Sequence, residues 1–260
     1  TGRYYMGVDF RRDHSFRIPR PDLTRELGTP NACNQCHTDK SIQWATDYLR
    51  QWYGQDLLDQ SHYGETFWAG RMRYPEAQEE LLRLGSDPGQ PPMVRATAIS
   101  LLGGYPNTAT LNLLQEMVTD PDPLVRYATL TVVEISEAET IRDLALPRLA
   151  DSVKLVRLMA ANALTAVPRN LIPQGDVQQL NKILEEYNAS LMINADHPTT
   201  HMNFGNLYLN TGDFEKAEAS YREAIELEPG LVGPYINLAD LYRRLNRDDE
   251  GEQILQSALD

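Results

Sequence analysis

The sequence predicts a mainly α-helical chain: an irregular front segment followed by an α-solenoid made of two arrays of paired helices. Two periodicities and one interruption carry that expectation. Val94 and Arg95 recur as Val125 and Arg126, and again as Val156 and Arg157, 31 positions on each time. Asn203, Tyr208 and Ala224 return 34 positions later as Asn237, Tyr242 and Ala258. Ahead of both arrays, Pro19, Pro21, Gly28 and Pro30 cut the chain into pieces too short for a long helix. The expected division is a front segment over 1–65, a first array over 66–172 and a second over 173–260.

Within the front segment, one amphipathic helix is predicted from Ser41 to Tyr53. Ile42, Ala45, Tyr48, Leu49 and Trp52 stand at helical spacing, Asp39 or Ser41 is available as N-cap, and Gly54 stops the helix. Trp44, Tyr48 and Trp52 suit either the lining of a flat cofactor or, more commonly, ordinary core.

In the first array each Val-Arg pair follows a turn rich in Pro or Asp: Asp87 to Pro92, Asp120 to Pro123, and Asp151. Each opens an apolar helix ending near Leu102, Val133 or Leu164, with partner helices over Ala109 to Val118 and Ile141 to Ala150. Helix pairs of this kind cannot bury their apolar faces alone and are expected to stack into a right-handed solenoid. The helix start Asp122-Pro123-Leu124-Val125-Arg126 resembles that of HEAT repeats, at a shorter period. Arg95, Arg126 and Arg157 are expected to bond neighbouring Asp side chains or turn carbonyls, a structural role.

From about Pro198 to Leu231, Phe204, Gly205, Tyr208, Gly212, Asp213, Ala217, Tyr221, Ala224 and Pro229 stand at the offsets of a tetratricopeptide repeat, which this stretch resembles. Gly205 and Ala217 are answered one period on by Ala239 and Gly251, small residues that let two helices approach closely. Counting back 34 positions from Tyr221 reaches Tyr187, so Leu180 to Asn194 reads as a helix of a degenerate earlier repeat. Pro168 to Gly175 has the composition of a joint between the arrays. The last repeat ends at Asp260 without a polar capping helix, which suggests more sequence, a partner domain or a homo-oligomer over that face.

The chemistry-bearing motif is Cys33-Asn34-Gln35-Cys36-His37, and these are the two cysteines of the chain. C-x-x-C-H attaches a c-type haem: each thiol adds to one vinyl group, and the adjacent imidazole falls under the iron as proximal ligand. A structural zinc site needs four ligands, and there is no second cysteine pair. A thioredoxin-like pair belongs to an alternating strand and helix pattern that is missing here. A disulfide across so short a loop gains little and leaves His37 unexplained. Covalent haem c on Cys33, Cys36 and His37 is therefore the leading expectation.

Composition narrows the partners. With 24 Lys and Arg against 37 Asp and Glu, the formal charge of -13 argues against nucleic acid or an anionic membrane. No apolar run approaches the roughly eighteen residues that span a bilayer. Thr1 to Gly7 reads as neither a signal peptide nor an initiator start, so the true N-terminus is expected further upstream. Arg3, Arg11, Arg12, Arg17, Arg20 and Arg25 form a basic strip in the acidic chain, suited to haem propionates or to a solvated arm.

The stretch Tyr5 to Pro21 followed by Gly28 to His37 resembles the end of a multihaem c-type cytochrome domain, in the group that includes pentahaem nitrite reductases, fused to repeats. The resemblance implies at least one further haem upstream, electron exchange with other haem domains or redox proteins, and a periplasmic or extracellular location. His14 and His62 become candidate axial ligands of this or a neighbouring haem. His201 reads as a packing residue of the repeat and His197 as an exposed turn residue. The expected function is electron transfer with a protein partner docked on the repeats. Alternatives are a multihaem oxidoreductase of nitrogen compounds with its active haem outside this chain, or a repeat-based interaction or assembly scaffold.

Overall fold

The computed structural model describes residues 2–5, 9–12, 19–59 and 62–259, and they form two compact units, Thr1–Tyr105 and Pro106–Asp260. The chain is mainly helical, as expected. One feature was not anticipated: Gly2–Tyr5 (β1) and Asp9–Arg12 (β2) pair as an antiparallel ribbon, with Gly2 opposite Arg12 and Tyr5 opposite Asp9.

The first unit continues with short helices. These are α1 (Pro21–Leu27), α2 (Ala32–Cys36), α3 (Ile42–Tyr53) and α4 (Asp56–Asp59). Proline at the start of α1 and the left-handed Gly28 at its end limit it to two turns. The Ser41 hydroxyl caps α3 by accepting from the Trp44 N–H, and Gly54 ends it. The buried face of α3 is narrower than expected, comprising Ala45, Thr46 and Leu49. Then come α5 (Tyr63–Arg71), α6 (Ala77–Ser86) and α7 (Pro92–Leu102). Leu81 of α6 and Ile99 and Leu102 of α7 are fully buried.

The second unit carries the rest of the 31-residue periodicity. Its helices α8 (Thr108–Met117), α9 (Pro123–Val132), α10 (Ala138–Ala145) and α11 (Lys154–Ala163) match the expected positions. The expected helix Ile141 to Ala150 finishes as a tight 3-10 turn, Leu146–Ala150, because Pro147 lacks the N–H that would continue the α pattern. Val94, Val125 and Val156 occupy the same third position of α7, α9 and α11, and all three are buried.

The arginine ladder follows its expected chemistry. Arg126 forks onto Asp151 (Nε to Oδ2 2.8 Å, Nη2 to Oδ1 2.9 Å) and also donates to the carbonyls of Asp120 and Pro121. Arg157 donates to the carbonyls of Asp151 and Ser152, and Arg95 to that of Gly85. Burial alone would push the Asp151 carboxyl up, but the Arg126 guanidinium and the Val153 N–H outweigh it and hold it below the usual carboxylate range.

Beyond it, α12 (Val177–Met192), α13 (Pro198–Thr211), α14 (Phe214–Leu227), α15 (Val232–Arg244) and α16 (Asp248–Ser257) complete the unit. Tyr221 and Tyr242 are almost wholly buried between them, with the Tyr221 hydroxyl donating to Asn206 Oδ1 at 2.7 Å. The two arrays are joined by direct bonds: Asn210 Nδ2 to Thr165 Oγ1 at 3.1 Å, and Gln179 Nε2 to the Leu149 carbonyl at 3.0 Å.

Candidate functional site

The C-x-x-C-H motif folds locally. Asn31 is extended and its side chain accepts from the Asn34 N–H at 3.0 Å, which starts α2. One turn later the His37 N–H donates to the Cys33 carbonyl at 2.9 Å and the chain leaves the helix. Three positions apart on a single turn, Cys33 and Cys36 share a face. Both thiols are free, Cys33 half-buried and Cys36 exposed. Asn34 is pinned by its Nδ2 bond to the Lys40 carbonyl, while its Oδ1 is buried without a partner.

The His37 ring begins an aromatic row that runs along α3. Ring centroids are 4.9 Å apart from His37 to Trp44, 5.1 Å from Trp44 to Tyr48 and 5.5 Å from Tyr48 to Trp52. This row is not core, the commoner fate for such residues: Tyr48 is 41% and Trp52 66% exposed, because the neighbouring positions Ala45 and Leu49 take the buried face. An exposed aromatic row starting at the imidazole is the kind of surface a flat, largely apolar ring covers. Among the described residues, no three His, Cys, Asp or Glu converge to hold a bare metal ion. Two accessible thiols on one turn, an imidazole at its end and this aromatic row fit covalent haem attachment.

His62 lies elsewhere in local function. It is the N-cap of α5, its Nδ1 accepting from the Gly64 N–H at 3.0 Å, and its ring packs on Tyr63 at 4.3 Å. A neutral imidazole that accepts at Nδ1 carries its proton on Nε2, so iron ligation would require the cap to be given up. His14 and Arg17 lie outside the described residues, as do the side chains of Arg3, Arg11 and Arg12. Arg20 is taken by Asp22, Nη2 to Oδ2 at 2.6 Å, and Arg25 by Gln43 and Glu26. His201 Nε2 meets the Ala195 carbonyl at 2.7 Å, a packing role, and the exposed His197 caps α13.

Sequence reasoning did not find a second feature, a cleft of about 530 Å³ in the second unit. Tyr127 and Thr131 of α9, Asn162 of α11, Tyr187 of α12 and Asn203 and Asn206 of α13 line it, with Glu134 just past α9. A signal was present: Tyr127 and Leu158, like Thr131 and Asn162, are equivalent positions one 31-residue period apart, and both pairs line the cleft.

The sequence matches the HEAT repeats family over residues 80–165 and the tetratricopeptide repeat family over residues 198–230. No curated protein matches the chain. The chain thus carries both kinds of helical repeat, and among the described residues no helix is long and apolar enough to cross a membrane.

Proposed function

We propose that this chain is a docking scaffold whose helical repeats hold a partner polypeptide in the cleft of the second unit. The observation that carries the reading is the cleft itself, at the meeting of two arrays of repeat types that commonly bind proteins. Placing a photoreactive amino acid in turn at Asn203, at Leu191 and at the distant Glu116 tests it in the native cell. Cross-links to another polypeptide at the first two positions and not at the third are expected. Equal labelling at all three, or none, overturns the reading.

A second reading adds electron transfer, and the exposed aromatic row beginning at His37 favours it. Cys33 and Cys36 would fix haem c through thioether bonds and His37 would hold its iron, which supplies one-electron chemistry when bound. The resemblance to multihaem cytochromes adds further haems to this reading, and covalent haem attachment adds a periplasmic or extracellular site. Intact mass of protein matured in a haem-attaching host should increase by one macrocycle. Bare thiols in that product would end the reading.

A further inference from the structure

We infer that the cleft binds a lysine or arginine side chain of an extended partner segment, with Glu134 pairing the cation and Tyr127 and Tyr187 flanking it. The inference rests on the docking reading and names the chemistry of the partner.

Charge supports it first. Among the described residues lining the cleft, Glu134 is the one that carries a charge, and it has no hydrogen-bond or ion-pair partner among them. Two half-buried carboxylates of the second unit are by contrast paired within the fold: Asp151 is forked by Arg126, and Glu218 is bonded by Arg222, Arg247 and the Tyr242 hydroxyl. Glu134 is open to solvent yet crowded by protein, and this desolvation pushes its carboxyl above the usual glutamate range. The same crowding, together with Tyr127 and Glu134, raises the Tyr187 phenol to about 12. A carboxylate without a counter-ion gains from an incoming cation, and aromatic faces add to that attraction.

The remaining wall suits a polypeptide rather than a small cation. Asn203, Asn206 and Asn210 recur at three- and four-residue steps along one face of α13, and Asn162 faces them from α11. An amide offers donor and acceptor together, which matches the alternating N–H and C=O groups of an extended backbone. Asn206 is held in place, its Oδ1 accepting from Tyr221 and from Asn237. Positioned amides cost less entropy on binding than mobile ones. An acidic partner is disfavoured by the lone carboxylate and by a formal charge of -13.

The test is selection of random nonapeptides displayed on phage against the full chain, the Glu134→Gln variant and a control variant, Glu116→Gln, altered at an exposed site on α8. The chain and the control should enrich peptides with Lys or Arg at one fixed position, and Glu134→Gln should not. For the peptide so found, anisotropy titration should show about a tenfold or greater loss of affinity on Glu134→Gln, the effect of one charge-assisted hydrogen bond. Replacing its basic residue by Gln should cost the same, and the two losses should not add. Circular dichroism of Glu134→Gln matching the parent ensures that binding, not folding, is read. Peptides enriched without a basic residue, or bound equally by Glu134→Gln, overturn this inference and leave the docking reading standing. Enrichment of no peptide also overturns it, and the photo-cross-links then judge the docking reading separately.

Discussion

Gly205 and Gly251 sit inside consecutive repeats, yet alanine at the two positions should act in opposite directions. A Cβ on Gly205 would lie 2.3 Å from Tyr221 Cε1 and 2.4 Å from Cδ1, far inside the ordinary carbon contact of roughly 3.5–4.0 Å. The ring cannot yield: Tyr221 is fully buried and its hydroxyl is tied to Asn206. Helices α13 and α14 must instead move apart, an overpacking cost at the upper end of the usual 1–3 kcal/mol, with the tyrosine hydrogen bond, worth about 1 kcal/mol, strained as well. Better helix propensity returns about 1 kcal/mol. Gly205→Ala should therefore destabilise by about 2–3 kcal/mol. On Gly251 the added Cβ meets the Ala239 carbonyl oxygen at 3.4 Å and Tyr242 Cβ at 3.7 Å, ordinary packing, so Gly251→Ala should stabilise by up to about 1 kcal/mol. The next repeat explains the difference: Ala239 stands where Gly205 does, and Leu255 where Tyr221 does. In urea titrations followed by far-UV circular dichroism, the double variant Gly205→Ala, Tyr221→Leu should cost less than the two single changes together. A neutral Gly205→Ala, or strict additivity in the cycle, would refute the reasoning.

Four further outcomes are expected. Asp151→Ala should cost about 3–5 kcal/mol by leaving Arg126 buried without its counter-charge; because the folded carboxyl titrates below its unfolded value, the ion pair's contribution is complete above the ordinary aspartate range and is lost as pH falls through the folded value. Glu134→Gln should stabilise the protein at neutral pH, since a carboxyl raised on folding is penalised above its folded titration point, and thermal melts should show the gain vanishing below the ordinary glutamate range. His62→Ala should lose about 1 kcal/mol of cap, while His62→Asn keeps it; a haem absorption spectrum changed equally by both would instead identify an iron ligand. On the haem reading, Cys33→Ser and Cys36→Ser would each leave one thioether bond, seen as a shifted pyridine haemochrome band, and the double change would give protein of unmodified mass.

The three Val-Arg helices were legible because a proline or an aspartate marks where each begins, and a fixed start sets which face every later residue occupies. Asp122 shows the mechanism: its side chain accepts from the Leu124 N–H, Pro123 opens α9, and Val125 and Arg126 then fall inward, as Val156 does at the same position of α11. Helix α6 was equally readable, with Ala77, Leu81 and Leu84 at helical spacing and all buried, but it lacks the Val-Arg marker that drew attention to its neighbours. Helix α5 was not: its cap is a histidine, and Gly64 and Gly70 dilute its pattern. The ribbon β1–β2 has strands of four residues each, too short for alternation to stand out.

The two candidate sites differ in the same way. The cysteine motif is local: five consecutive residues contain it, and one helical turn is enough to present both thiols. Only the surroundings of that motif needed coordinates, because whether Trp44, Tyr48 and Trp52 face inward or outward depends on what α1 contributes to the buried face of α3. The cleft is the opposite case. Its carboxylate, phenols and amides come from the turn after α9 and from α9, α11, α12 and α13, most of them tens of positions apart, and each taken alone is an unremarkable polar residue. Periodicity is what makes such a surface readable: in a stacked array the positions one step off the core, repeated at the array's own interval, must line up on one side. Thr131 and Asn162 do so, and the Asn203 face of α13 closes the cleft against them. A partner that reads this surface therefore reads several repeats at once, so substitutions confined to one helix should weaken it in proportion to the contacts that helix supplies, with the unpaired charge of Glu134 the exception that dominates.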